Sequence, residues 1–263
     1  MPVRREREVR VDFVKRNPRA PEGFFACEAA GLRWLASAAD GVPCARVLDV
    51  DAVSLTLERL TPAAPTREAA HLFGRRLART HAAGAAGFGA APDGWSGPGF
   101  FGPLHQPLPM EFCREPSWGL FYAEHRLAPM AERAALDPGT AADVAEIISR
   151  CAAGDFDDDD DPCRLHGDLW SGNVMWTRDG ALLIDPAAQG GHRETDLAML
   201  DLFGCPHLEA VIDGYCGEHP LRSGWRDRVG LHQLFPLLAH VALFGGGYLG
   251  QTRAAARSAL QLS

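Results

Sequence analysis

Lysine is nearly absent from this chain. Of its 26 Lys and Arg side chains, Lys15 is the single lysine. Arginine presents a wide planar fork, whereas lysine is a compact point charge on a thin stem. A narrow, phosphate-contacting cleft is one place where arginine would fail, which makes Lys15 a candidate site residue. Positive charge is also in deficit. The formal net charge is −8, so the overall charge gives a nucleic-acid partner no support. Arg4, Arg5, Arg7 and Arg10 cluster near the start, but acids alternate with them, and a solvated strand or chain end is the expected reading. The seven cysteines include no C-x-x-C pair and no zinc-like spacing with histidine. No signal peptide is visible, so a reduced, cytoplasmic protein is expected. Cys27 and Cys44 are read as buried inert thiols rather than redox centres. The most apolar late stretch, residues 235–249, is broken by Pro236, His240 and three consecutive glycines. It is too short and interrupted to span a membrane. Internal repeats are missing too. What remains is 263 residues with 46% apolar content, enough for one large domain or two small ones with a real core.

The informative stretch is residues 165–202. His166-Gly167-Asp168 is followed five residues after the aspartate by Asn173, and the apolar run Ala181-Leu182-Leu183-Ile184 ends in Asp185. The order H-x-D-x-x-x-x-N, strand, Asp is the phosphoryl-transfer pattern of kinase-like enzymes. Phosphoryl transfer asks a protein mainly for positioning and charge neutralisation. Asp168 can accept the proton of a substrate hydroxyl. Asn173 and Asp185 can offer hard oxygen ligands to a Mg²⁺ that bridges ATP phosphates. The base needs a carboxylate separate from the metal's. A solvated hairpin with ordinary turn residues is the rival reading, and three roles in the right order oppose it.

Upstream, residues 9–15 alternate apolar and polar and predict a strand ending at Lys15; residues 23–39 predict a helix carrying Glu28. A strand lysine followed by a helix glutamate fits the Lys–Glu ion pair of kinases. Residues 46–49 and 54–58 predict two further strands. Residues 58–62, with Glu58 and Leu60, then leave the sheet as a hinge where backbone groups would meet an adenine ring. Thr66 is placed to cap a helix running to about Ala83, in which His81 is read as structural. Residues 84–109 are rich in Gly and Pro and predict a long loop. Within it, Gly97-Pro98-Gly99-Phe100-Phe101-Gly102 matches G-x-G-x-x-G, but no strand precedes it, so it is not read as a phosphate loop. Residues 118–136 predict a helix broken near Pro129, and residues 141–151 another. The acidic run Asp155 to Asp161 lacks the pattern of a calcium loop and is expected to be a solvated linker. Further helices are expected at 196–203, 208–218 and 226–244.

Residues 165–173 (LHGDLWSGN), Asp185-Pro186-Ala187 and residues 190–199 (GGHRETDLAM) together resemble the fructosamine kinase family. That family belongs to the aminoglycoside phosphotransferase-like, protein-kinase-like superfamily. The likeness extends to residues 13–15, 24–32 and 121–127, and so covers nearly the whole chain. The resemblance implies an α+β, bilobal protein-kinase-like fold. Its small N-terminal lobe, residues 1–60, holds an antiparallel sheet and one helix; residues 61–263 form a larger, mainly helical lobe. Asp168 is implied as catalytic base, with Asn173 and Asp185 holding Mg²⁺. Lys15 is implied to contact the ATP phosphates while paired with Glu28. Trp170 is implied as a wall for the sugar, and His192 and Arg193 as shaping the substrate side. Asp196 is implied as a buried acid that ties down the catalytic loop. The implied reaction is phosphorylation of a sugar hydroxyl of ketosamines, free or protein-bound, in deglycation repair; the product 3-phosphate then decomposes and frees the amine. Neither nucleic acid nor membrane is an expected partner, and nothing in the pattern sets an oligomeric state.

The resemblance also implies a Gly-containing loop between two strands ahead of the lysine strand. Residues 1–14 contain no glycine, so that first strand and loop are expected to be missing and ATP turnover weakened. This keeps a non-catalytic pseudokinase as one rival, opposed by the intact Lys15, Glu28, Asp168, Asn173 and Asp185. The other rival is a kinase for aminoglycosides or choline-like alcohols, opposed by the extended motifs.

Overall fold

The computed structural model describes residues 12–262. The arginine cluster and nearly all of the glycine-free segment lie outside the described residues. Strands β1 (Asp12–Arg16), β2 (Val47–Val50) and β3 (Ser54–Glu58) form an antiparallel sheet in the order β1–β3–β2. Helix α1 (Phe24–Ala36) packs beside it and buries Phe25, Leu32 and Leu35. The helix ends three residues before the expected Ala39. There the Ser37 hydroxyl turns back to donate to the Trp34 carbonyl at 2.7 Å, a local bond that competes with helix continuation.

The remainder is mainly helical. Helix α2 (Arg67–Ala82) starts where Thr66 Oγ1 accepts the Ala69 N–H at 3.1 Å. Helix α3 (Trp118–Tyr122) passes through a π turn (Ala123–Leu127) into α4 (Ala128–Arg133), and α5 (Pro138–Ala153) follows. Helices α6 (Glu194–Leu202), α7 (Leu208–Glu218), α8 (Trp225–Phe244) and α9 (Leu249–Ala259) complete the set. Helix α8 runs through Pro236, which has no N–H to give. The Tyr122 hydroxyl inserts at this break: it is 3.4 Å from the His232 carbonyl that Pro236 leaves without a donor, donates to the Leu231 carbonyl at 2.9 Å and accepts the Phe235 N–H at 3.1 Å. Among the described residues no helix is long and apolar enough to cross a membrane.

Three small antiparallel pairs punctuate the helices: β4 (Gly99–Phe101) with β5 (Leu108–Met110), β6 (Cys163–Leu165) with β9 (Gln189–Gly191), and β7 (Val174–Thr177) with β8 (Gly180–Leu183). The first pair lies, but for Met110, within residues 84–109, expected to be a loop. Its strands are three residues long, too short to show a period, and burial of Phe101, Leu108 and Met110 holds them. The acidic run also departs from its expected role as a solvated linker. Asp157 accepts from the Ser117 hydroxyl and, at 2.6 Å, from the Gly119 N–H at the start of α3. Asp158 and Asp160 meet the buried side chains of His192 and Arg193, described below.

Two apolar cores are present. One joins Leu55 and Leu57 of β3 and Phe25 and Leu35 of α1 to Phe73 and Leu77 of α2, Leu183 of β8 and Val211 of α7. The other joins the β4–β5 hairpin to α3, α5, α8 and α9. The small sheet therefore shares its core with the β7–β8 hairpin, across residue 60. Helices α2 and α7 cross at two glycines. A Cβ on Gly74 would collide with the Val211 carbonyl, and one on Gly214 with that of His71.

Candidate active site

The loop after β6 is held from below by one buried carboxylate. Asp196 accepts the His166 N–H at 2.8 Å and the Gly167 N–H at 3.0 Å. His81 of α2 meets Asp196 at 3.1 Å through Nε2, and its Nδ1 is 2.8 Å from the Tyr215 hydroxyl of α7. Burial opposes the ionised form of Asp196, yet these hydrogen bonds and the nearby histidines hold its pKa below the usual aspartate value. Gly167 has φ +80°, and a Cβ there would run into the Ala187 carbonyl, so only glycine lets the loop turn this closely. His166 accepts the Asp168 N–H at Nδ1 (3.2 Å) and donates from Nε2 to the Ile184 carbonyl (2.8 Å). One imidazole thus ties the Asp168 loop to the strand that leads to Asp185.

Asp168, Asn173, Asp185, Lys15 and Glu28 all line one cleft of about 580 Å³. Burial pushes the Asp168 carboxyl up to about 7; the Asn173 bond pulls it down, and the charges of Asp185 and Asp196 add to the rise. A carboxyl near neutrality is well matched to accepting a proton at ordinary pH. Asn173 donates from Nδ2 to the Asp168 carbonyl at 2.8 Å and to Asp168 Oδ2 at 3.2 Å. That leaves its amide oxygen as the atom able to meet a cation. Asp185 sits at φ +55°, a left-handed conformation uncommon outside glycine. It is braced by the Ile184 N–H donating to the Asn173 carbonyl at 3.1 Å. Lys15 Nζ lies 2.6 Å from both Glu28 Oε1 and Asp185 Oδ1. Burial alone would lower the Lys15 pKa, but the two carboxylates outweigh it and hold it above the ordinary value. An amide oxygen and a carboxylate are hard donors that suit Mg²⁺, and Asn173 and Asp185 fit that ion.

The other expected site residues divide. Trp170 lines the cleft and is 40% exposed. Glu58 and Leu60 do not line it. The Glu58 carboxylate accepts the Arg46 N–H at 3.0 Å, and Leu60 packs on the first core. His192 and Arg193, expected on the substrate side, are buried elsewhere. Arg193 grips Asp160 with Nε at 2.7 Å and Nη2 at 3.0 Å, while His192 Nε2 is 3.3 Å from Asp158. A buried guanidinium and a buried imidazole beside an acidic run find their hydrogen-bond partners there, which explains their absence from the cleft. The sequence reading missed Phe100, Phe101, His240, Leu243 and Phe244, all of which line the cleft. The first two lie in the glycine-rich segment rejected as a phosphate loop. That segment forms a wall, tied to the end of β1 by Asn17 Nδ2 donating to the Leu104 carbonyl at 2.8 Å.

A small antiparallel sheet with one helix, a helical lobe and a cleft between them define the class: an aminoglycoside-phosphotransferase-like, protein-kinase-like fold. The aminoglycoside phosphotransferase APH(4)-Ia shares that fold, at 18% identity and a TM-score of 0.59 over 95% of this chain and 86% of its own. A protein of Thermobifida fusca, provisionally named a fructosamine-3-kinase, is much nearer. It is 45% identical, with a TM-score of 0.88, and the match covers 96% of this chain and 86% of that one. A probable ketoamine kinase of Synechocystis is 32% identical over 254 residues, covering 95% of this chain and 83% of the relative. The fructosamine kinase family model matches residues 3–261. The chain belongs to the fructosamine kinase family and is a kinase, transferring phosphate to a hydroxyl.

Proposed function

We propose that this kinase uses ATP with Mg²⁺ to phosphorylate a sugar hydroxyl of ketosamines, the adducts that glycation leaves on amines, in deglycation repair. The observation that carries the reading is the meeting of Asp168 with Lys15, Glu28, Asn173 and Asp185 in one cleft. Lys15, held by Glu28, supplies a fixed positive charge to the donor phosphates. Asn173 and Asp185 would hold Mg²⁺, which when bound neutralises charge on those phosphates. Asp168 takes the proton of the acceptor hydroxyl as its oxygen bonds to the γ-phosphorus and the bond to the leaving ADP oxygen breaks. Of the carboxylates lining the cleft, Glu28 and Asp185 are both engaged by Lys15. A polycationic acceptor such as an aminoglycoside would find only Asp168, which favours the ketosamine. All seven cysteines are free, in keeping with a reducing, cytoplasmic setting.

The test is transfer from Mg·ATP to fructosyl-lysine followed by ³¹P NMR, with Asp168→Asn beside the native chain. A new sugar-phosphate resonance, reduced by roughly 10²–10⁴-fold in the variant, is the expected outcome. Equal turnover in the variant, or none in the native chain, would overturn the proposal.

A further inference from the structure

Exposed large apolar side chains are concentrated at this cleft. Six are exposed among the described residues, and four of them, Phe13, Val14, Trp170 and Phe244, line it. Such concentration marks a ligand surface rather than chance exposure. Phe13 and Val14 directly precede Lys15 on β1. The other two belong to an aromatic face that begins two residues after Asp168, the proposed base for the acceptor hydroxyl. Trp170 meets Phe203 edge-on at 6.1 Å between centroids; Phe203 meets His240 at 5.0 Å. His240 in turn meets Phe244 at 5.4 Å and Tyr248 at 4.8 Å. Helix α8 ends at Phe244, which is 53% exposed, so the face opens to solvent.

From this geometry we infer that the aromatic face of Trp170, His240 and Phe244, backed by Phe203 and Tyr248, is the subsite for the amine-borne group of the acceptor, and that it selects apolar and aromatic amines over polar or additionally charged ones. This rests on the ketosamine reading above. The face contributes no carboxylate to the cleft lining, so a second ammonium group on the amine arm has no anionic partner there. The ammonium at the sugar–amine junction lies close to Asp168 and to ring faces, which attract a cation through their quadrupoles. His240 adds one polar atom. Its Nδ1 donates to the Pro236 carbonyl at 2.6 Å, which leaves Nε2 of the neutral ring as an acceptor for the junction N–H or a sugar hydroxyl. Beyond that atom the face offers only apolar contact, which a benzyl or alkyl arm fills and a hydroxyl or ammonium arm leaves wet.

Three acceptors sharing one fructosyl group test this: the adducts of benzylamine, ethanolamine and 1,3-diaminopropane. In the native chain kcat/KM for the benzylamine adduct should exceed that of the ethanolamine adduct by roughly tenfold, the scale of a modest apolar contact, with the diamine adduct lowest. Phe244→Ala, at a half-exposed position that carries little of the core, should bring the benzylamine-to-ethanolamine ratio close to unity, with the larger loss on the benzylamine adduct. Equal kcat/KM for the three adducts, or an undiminished ratio in Phe244→Ala, would overturn the inference with the ketosamine reading intact. Turnover of none of the three would overturn that reading, and the subsite with it.

Discussion

At the residue scale, two side chains allow a test that separates charge from shape. Lys15 is wedged between Glu28 and Asp185 at 2.6 Å to each. Lys15→Arg keeps the charge but widens the group, and should lower kcat/KM by roughly 10²-fold through misplacement of the cleft carboxylates; steady-state kinetics at saturating Mg²⁺ would show it. Asp168 carries the opposite lesson. Its pKa is raised to about 7 by burial, so the base form accumulates as pH rises, and kcat/KM should climb through that region before levelling off. The same shift has a stability consequence. A carboxyl whose folded pKa lies above its unfolded value near 4 penalises the folded state once the pH exceeds that unfolded value, and most fully above the folded one. Asp168→Asn should therefore raise the melting temperature at pH 8 by about 3–6 °C, with the difference fading below pH 4. Unchanged or lower melting at pH 8 would show that Asp168 is not strained by its burial.

At the element scale, the Asp168 loop depends on helices far from it in sequence. Asp196 at the start of α6 connects that loop to α2 through His81 and to α7 through Tyr215. Because its folded pKa is depressed, its contribution is present above the unfolded value near 4 and is lost as pH falls through the folded one. Asp196→Ala leaves two backbone N–H groups and a histidine without their acceptor and should cost about 3–5 kcal/mol; denaturant unfolding at pH 7 would measure it. The α2–α7 crossing is similarly unforgiving. Gly74→Ala drives a methyl into the Val211 carbonyl and should cost about 1–3 kcal/mol by overpacking, read as a lower melting temperature. A neutral result would mean the helices can separate at no cost.

For the whole molecule, the first of the two cores draws on residues from both sides of position 60. Leu55 and Leu57 of the small sheet pack in the same cluster as Phe73, Leu77 and Val211. Amide exchange should accordingly show β3 protected to within about tenfold of α2, as one cooperative unit, rather than opening early as a separate lobe. Much faster exchange throughout β3 would argue that the small lobe unfolds on its own. The cleft lies beside this shared core, so the positions of Lys15 and Asp185 relative to each other are set by packing as well as by their ion pair.

The loop chemistry was legible because its residues are close in sequence. Asp168, Asn173 and Asp185 fall within eighteen positions, and their spacing alone brings them to one hairpin. Lys15 and Glu28 were legible because a strand and a helix with clear periods carry them. Thr66 showed as a cap for the same local reason. What the sequence could not decide was which long-range neighbours each polar residue would find. His192 and Arg193 stand next to the motif, yet tertiary packing gives them Asp158 and Asp160 and removes them from the cleft. Phe100 lies in a glycine motif set aside as a phosphate loop, and His240 and Phe244 carry no motif, yet the hairpin β4–β5 and the end of α8 bring all three to it. Local hydrogen bonding and periodicity act over a few residues and leave a mark in the sequence. Charge pairing and aromatic contact act through space and are fixed only once the chain has folded.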